Sequence, residues 1–242
     1  MSRQFALKAA ALGSALALSA LVAPVQAQNL LTNGNLDATS VSSQVLATPT
    51  GWDVSASRDI TGAFNDGASS EGFANVLDPG GQGLFFKPFQ GNAVDGNISV
   101  RLSQTVAGSP GLPYTLTGWA GAEQNYVGLS DPNVQSLFEI DFLDSGNNVI
   151  SSSTLDLRAA GLGVGPAQPP ATGFAYKQFT VSALAPAGTA SVRASASMLG
   201  AYGNPAGGGQ AFVVDAFTLV VPEPASLGLA GMAGLVLLAR RR

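Results

Sequence analysis

The 242 residues contain no cysteine and no histidine. The first absence excludes a disulfide framework, so stability must come from a packed core of adequate size. The second excludes more. Without imidazole there is no Ser-His-Asp or Cys-His catalysis and no histidine-ligated zinc. An enzyme built on this chain is left with carboxylate chemistry. Charge is scarce too, at 11% of residues, and it is unevenly placed. Arg3, Lys8, Arg240, Arg241 and Arg242 are five of the eleven basic residues. Residues 28–221 keep six basic side chains against fourteen carboxylates, a net charge of −8. So acidic a body has no electrostatic footprint for nucleic acid or for an anionic membrane surface.

A sustained 3.6-residue apolar period is also missing between residues 28 and 221. Short strand-like runs separated by turn chemistry stand in its place. In Leu137–Leu143, Phe138, Ile140 and Phe142 share one face while Glu139 and Asp141 share the other, the mark of a half-buried strand. Asp144–Asn148 supplies a turn, and Val149-Ile150 starts the return strand. Further strands are expected at 29–32, 98–106, 113–121, 153–158, 176–182, 189–198 and 211–220. Asp78–Gly81, Ser109–Gly111, Gly161–Thr172 and Gly203–Gly209 read as loops. Many short strands with Gly/Pro-rich turns, in a body sized for one domain and without a clean internal repeat, predict an all-β antiparallel sandwich or jelly roll over 28–220.

The two ends are of a different kind. Arg3 and Lys8 precede an apolar stretch from Ala9 to Ala23, which closes on Val25-Gln26-Ala27. This is the pattern of a signal peptide over 1–27, cut after Ala27 by signal peptidase. The alternative is an N-terminal anchor, against which stand the short run and Pro24. At the other end, Pro222-Glu223-Pro224 leads into the apolar run Ala225–Ala239, and three arginines follow. As a helix those 15 residues reach about 22 Å, a marginal transmembrane span. Arg240, Arg241 and Arg242 would hold its end on the cytoplasmic side. Gly228, Gly231 and Gly234 form a small-residue stripe, suited to a partner helix or merely tolerated.

Val221–Ala225, the short apolar helix and the terminal arginine cluster resemble the PEP-CTERM sorting signal, whose tail is also labelled an ice-binding-protein C-terminal domain. The resemblance covers residues 221–242. It implies recognition by an exosortase at the inner membrane of a Gram-negative bacterium, transient anchoring there, and release to the cell surface or extracellular matrix of a biofilm. Pro222 and Pro224 cannot continue a helix and keep the segment extended for a processing enzyme.

A second resemblance concerns the body. Asn29–Asp37 followed by Gly51-Trp52, then Leu102–Val106 and Pro110–Trp119, then Ala185–Arg193 and Phe212–Leu219, are similar in order to galactose-binding-like and carbohydrate-binding-module jelly rolls. The chain departs from that pattern at Leu36-Asp37 and at Ala216. What the resemblance implies is a structural calcium near Asp37 and Asp215, whose oxygen ligands suit that hard cation.

Alternation along Tyr114–Ala120 sends Tyr114, Leu116, Gly118 and Ala120 to the core and Trp119 to the opposite face. Trp119, with Tyr126, Tyr202 and Trp52, is thereby a candidate platform on which a sugar ring stacks. The competing role for Trp52 and Trp119 is to fill the sandwich or cover its edge. Glu139 and Asp141 stand two apart on one strand face, about 7 Å from each other. They view a substrate from the same side, unlike an acid and base across a glycosidic bond, and read as a solvated face.

Three functions follow. The favoured one is an exported, non-catalytic module that binds neutral polysaccharide or belongs to the matrix, where a structural or adhesive role without a small ligand is the variant. A glycan-active enzyme needs two facing carboxylates. Ice binding needs a regular Thr array, and no regularly repeating T-x-T array occurs.

Overall fold

The computed structural model describes residues 27–38, 48–57, 67–71, 81–88, 97–165 and 174–222. The expected signal helix, the apolar run and Glu223, Pro224, Arg240, Arg241 and Arg242 lie outside these residues, and Ala27 and Pro222 lie inside. Among the described residues no helix is long and apolar enough to cross a membrane.

Among the described residues eleven strands run in chain order: β1 Asp53–Ala56, β2 Gly67–Glu71, β3 Gly83–Lys87, β4 Ile98–Ala107, β5 Pro113–Glu123, β6 Gln135–Leu143, β7 Val149–Asp156, β8 Gly163–Gly165, β9 Lys177–Leu184, β10 Ser191–Ala201 and β11 Phe212–Val220. One 3-10 turn, Val127–Leu129, interrupts them. They build two sheets. The five-stranded sheet has the order β1-β4-β10-β6-β7, antiparallel throughout. In the other, β2-β3-β11-β5 is antiparallel. There β9 flanks Pro113–Ala120 of β5, while β8 flanks Gly121–Glu123 in parallel.

Alternation explains the core. Ile98, Val100 and Leu102 of β4, Val192, Ala194, Ala196 and Met198 of β10, and Phe138, Ile140 and Phe142 of β6 all point inward and are buried. They meet Leu84, Phe86, Leu116, Phe212, Val214, Phe217 and Leu219 of the opposite sheet. Rings interlock across the interface, Phe138 with Phe217 at 5.3 Å, and within the second sheet Phe86 stacks on its cross-strand neighbour Phe212 at 5.2 Å. Gly118 makes room for the first pair, because a Cβ there would stand 2.6 Å from Phe217 and 2.9 Å from Phe138. Gln28–Pro222 forms a compact unit.

Two expectations need correction. Residues 29–32 are a strap rather than a strand. Leu30 N donates to Leu219 O at 2.8 Å, and Phe217 N donates to Gly34 O at 2.7 Å. The expected loop Gly161–Thr172 holds the short strand β8, Gly163–Gly165, where Gly163 lets the backbone pass closely as it pairs with β5. On β11 a bulge breaks the alternation. Ala216 takes a positive φ of 49° and the register with β5 shifts between Asp215 and Thr218. That bulge keeps Phe212 and Val214 before it, and Phe217 and Leu219 after it, on the core side.

Candidate functional site

The four aromatic candidates do not form one platform. Trp52 is 4% exposed, with its ring 5.3 Å from Phe217 and its indole N–H donating to Asn33 O at 3.0 Å. Tyr126 is buried, stacked on Phe212 at 5.9 Å, and its hydroxyl shares a 2.8 Å hydrogen bond with Ser136 Oγ. Burial pushes its phenol far above the ordinary range. Both rings fill the core and offer no face to a ligand. Tyr202, half-buried beyond β10, rests on the main core and donates to Asp131 Oδ2 at 3.0 Å.

Trp119 takes the phase the sequence assigns it, on the outer face of its sheet. There it is half-buried against a second cluster of Phe85, Phe174, Tyr176, Ala211 and Val213. The segment around Phe174 lies directly on β5. Gly121 permits this, since a Cβ at that position would run into the Phe174 carbonyl. The chain itself therefore covers the outer face of this sheet around Trp119, while Thr180 and Ser182 of β9 remain exposed further along the same face.

The metal candidates come to the same end of β3. Asp37 Oδ1 accepts from Gln82 N at 2.7 Å, and Oδ2 accepts from the Asn35 side-chain amide. Asp215 follows Val214, which pairs with Leu84, and is buried. Its Oδ1 accepts from Ala216 N at 2.6 Å. Tyr176 titrates well above its usual range, first through burial and then through the Asp215 charge. Among the described residues no group of three or more His, Cys, Asp or Glu side chains gathers as a metal centre.

The richest polar array is on the outer face of the five-stranded sheet. Register places Arg101 of β4 opposite Ser197 of β10, Arg193 opposite Asp141 of β6, Ser195 opposite Glu139, and Asp141 opposite Ser152 of β7. Arg101 Nη2 reaches Glu139 Oε2 at 2.7 Å, and its Nη1 stands 3.6 Å from Asp141 Oδ2. Arg193 donates to that same Oδ2 through Nε at 3.0 Å and Nη2 at 2.7 Å. Ser152 Oγ donates to Asp141 Oδ1 at 2.5 Å, and Arg101 Nε donates to Ser197 Oγ at 3.2 Å.

Glu139 and Asp141 do share one face, yet it is not solvated as expected. Their side chains are 13% and 2% exposed, covered by two guanidinium groups. Each carboxylate is held in an ion pair, and neither faces the other across a groove. Sequence reading also missed Arg101, Arg193, Ser195 and Ser197. Their signal was present as polar residues at period two in β4 and β10, but it converges only once those strands lie beside β6.

Comparisons with known proteins bear on both parts of the chain. Residues 220–242 match the PEP-CTERM protein-sorting motif. No curated protein matches the sequence. Among solved structures, the enzymatically active domain of tailspike protein 4 of bacteriophage CBA120 superimposes with a TM-score of 0.50 at 13% identity, over 80% of this chain and 21% of that one. This chain thus spans about a fifth of that relative's length, and the likeness is one of fold. TmCBM61 in complex with β-1,4-galactotriose gives a TM-score of 0.45 at 16% identity, over 80% of this chain and 99% of that one. A structure of the carbohydrate-binding modules from the β-sandwich superfamily gives 0.40 at 11% identity, over 81% and 62%.

Proposed function

We propose that the sandwich is an exported, non-catalytic module that binds neutral polysaccharide through the outer face of its five-stranded sheet. The sorting motif at residues 220–242 implies export and processing by an exosortase. The extracellular matrix of the producing cell is the destination we propose.

The observation that carries the reading is the Arg101–Glu139–Asp141–Arg193 array with its flanking serines. Sugars present vicinal hydroxyls, each a donor and an acceptor. The guanidinium groups are the accessible part of the array, Arg101 at 30% and Arg193 at 26% exposed, and a planar guanidinium engages such pairs two atoms at a time. Here the ion pairs hold those groups in place beforehand, which lowers the entropy lost on binding. The four charges cancel, so the face suits a neutral polymer, whereas the net charge of −8 over residues 28–221 repels acidic ones. A shallow face of this kind binds in the micromolar to millimolar range, roughly −8 to −4 kcal/mol, and a repeating polymer raises retention through avidity.

Affinity electrophoresis in gels of neutral polysaccharide tests this, with melting curves alongside. Arg101→Gln is expected to weaken retention about tenfold, equivalent to about 1.4 kcal/mol. Trp119→Ala, on the other sheet, is expected to leave retention intact. Loss through Trp119→Ala with an unchanged melt would move the site to that ring. No retention of the wild type on any neutral glycan would leave a structural or adhesive role.

We also propose that Asp37 and Asp215 hold a structural calcium ion. Their carboxylates supply the hard oxygen donors that calcium prefers. The Gln82, Asn35 and Ala216 N–H groups already fix their orientation, as outer hydrogen bonds do around metal ligands.

A further inference from the structure

Six large apolar side chains are exposed among the described residues, Leu30, Leu112, Val149, Ile150, Val164 and Leu184. All but Val164 stand at one end of the sandwich. Pairing fixes this, with Pro113 opposite Leu184, Thr115 opposite Val220, and Leu143 opposite both Ser191 and Val149. Leu30 joins them through its N–H, which donates to Leu219 O. Two loops cross between the sheets here and are bonded together, Gly111 N to Ala185 O at 2.8 Å and Ala185 N to Leu112 O at 2.9 Å. Val164 lies at the other end, opposite Ala122.

Charge divides the same way. Residues 29–31, 107–113, 143–151, 184–190 and 219–222 make up this end, and Asp144 is their one charged side chain. Its carboxylate is engaged within its own turn, accepting from Gly146 N and Asn148 N. A cut after Ala27 would add one α-amino group, which offsets it. The other end carries Glu123, Asp131, Asp156, Arg158 and Lys177. It is from the apolar end that β11 leaves the body, at Val220.

We infer that this end docks on the lipid interface of the membrane while the sorting segment is still attached. The occupant follows from where the chain goes next. From Val220 to Ala225, where the apolar run begins, the chain extends at most about 18 Å. While that run is held in a bilayer, the end bearing Val220 stays at the bilayer surface. The opposite end lies the length of β11 further off, nine residues or about 30 Å. A body of net charge −8 is not attracted to anionic lipid. Contact therefore falls to the apolar end, which enters the interface with little charge to desolvate. A few separated side chains bind weakly by themselves, but a short tether raises their effective concentration into the millimolar range. Cutting the tail removes the tether, so the body is released. Docking also holds Pro222 at the bilayer surface, where processing takes place. The contact rests on the membrane stage that the sorting motif implies, and not on the polysaccharide reading.

The chain has no cysteine, so a single environment-sensitive label can be placed at either end. Ala187→Cys marks the apolar end and Ala159→Cys the charged end, both at exposed positions. The signal-free chain with its tail intact is inserted into vesicles of phosphatidylethanolamine and phosphatidylglycerol. Iodide quenching of the label at position 187 is expected to fall at least about threefold relative to the processed protein in solution. Lipids carrying a nitroxide near the headgroup should quench the same label. The label at position 159 should keep its iodide access. Ile150→Ser combined with Leu184→Ser, both exposed, should restore access at position 187 while the chain still floats with the vesicles. Equal access at position 187 with and without vesicles overturns the contact, as does protection that the double variant leaves unchanged. Protection without nitroxide quenching, or protection that rises with the protein-to-lipid ratio, overturns it in favour of a protein neighbour. A chain that does not float with vesicles overturns the membrane stage as well. None of these results bears on polysaccharide retention.

Discussion

Asn29 closes the last strand onto the first residues of the body, using its side chain as a second backbone. Its Oδ1 accepts from Leu219 N at 2.9 Å while its Nδ2 donates to Phe217 O at 3.1 Å. The same oxygen takes Leu31 N at 3.2 Å, which sets the turn that follows. Asn29→Ala strands a donor and an acceptor of β11, both partly buried. The expected cost is about 2–3 kcal/mol, or a fall in Tm of roughly 5–10 °C for a domain of this size. Asn29→Asp keeps the acceptor and loses the donor, so its melt should fall between the two. An Asn29→Ala melt equal to wild type would show that water replaces these bonds without loss.

That strap constrains maturation. A cut after Ala27 leaves Asn29 as the second residue of the processed chain, with its hydrogen bonds to β11 intact. A cut a few residues later removes them. The exported protein is therefore expected to begin at Gln28 and to lack the apolar run and arginines of the sorting motif. Intact-mass measurement of secreted material checks both ends at once. A product retaining residues 225–242 and held in the membrane fraction contradicts exosortase processing.

Tyr202 and Asp131 give a local pH dependence with two limits. The Asn133 backbone N–H, then the Tyr202 hydroxyl, hold the Asp131 carboxyl below its ordinary 3.8. A depressed carboxylate contributes stability above its unfolded pKa, and the contribution disappears as pH falls through the folded value. The Tyr202 phenol is raised above 10.0, first by its hydrogen bond to Asp131 and then by burial. A raised phenol contributes below its unfolded pKa and ceases to do so as pH rises through the folded one. The Tm difference between wild type and Tyr202→Phe should therefore be flat through neutral pH. It should shrink below about 3.8 and above about 10. A difference that does not change with pH would mean that the hydroxyl bonds water instead.

What could be read from the chain depended on how many partners a residue needs. Leu137–Leu143 alternates within itself, so β6 and its buried Phe138, Ile140 and Phe142 were legible without any other strand. The Asp144 turn was legible for the same reason, because Asp144 Oδ1 takes Gly146 N and Asn148 N from its own loop. By contrast, β3 shows no alternation, since all five of its residues are buried. The depth of Trp52 and Tyr126 is set by Phe217 and Phe212, which are distant in sequence. Likewise, Arg101 and Arg193 read singly as solvated charges. They become an array only through the order β4-β10-β6, which local pattern does not encode.

Calcium offers the most direct test of the Asp37 and Asp215 pair. A ligand that binds only the folded state stabilises it by mass action, about 2.7 kcal/mol at a hundredfold excess over Kd. The proposal therefore expects millimolar calcium to raise the Tm of the processed protein by roughly 5–10 °C, and a chelator to reverse the rise. Magnesium should do less, because it is smaller and gives up its water reluctantly. Asp37→Asn keeps an oxygen acceptor for Gln82 N but loses the charge, so it should abolish the calcium response at modest cost without the ion. Asp215 is buried, and Asp215→Asn is expected to lower the melt even without calcium. Comparing the two variants therefore separates a ligand from a structural carboxylate. If calcium leaves the wild-type Tm unchanged, Asp37 keeps the role its hydrogen bonds already give it. It ties the strap that begins at Asn29 to the start of β3.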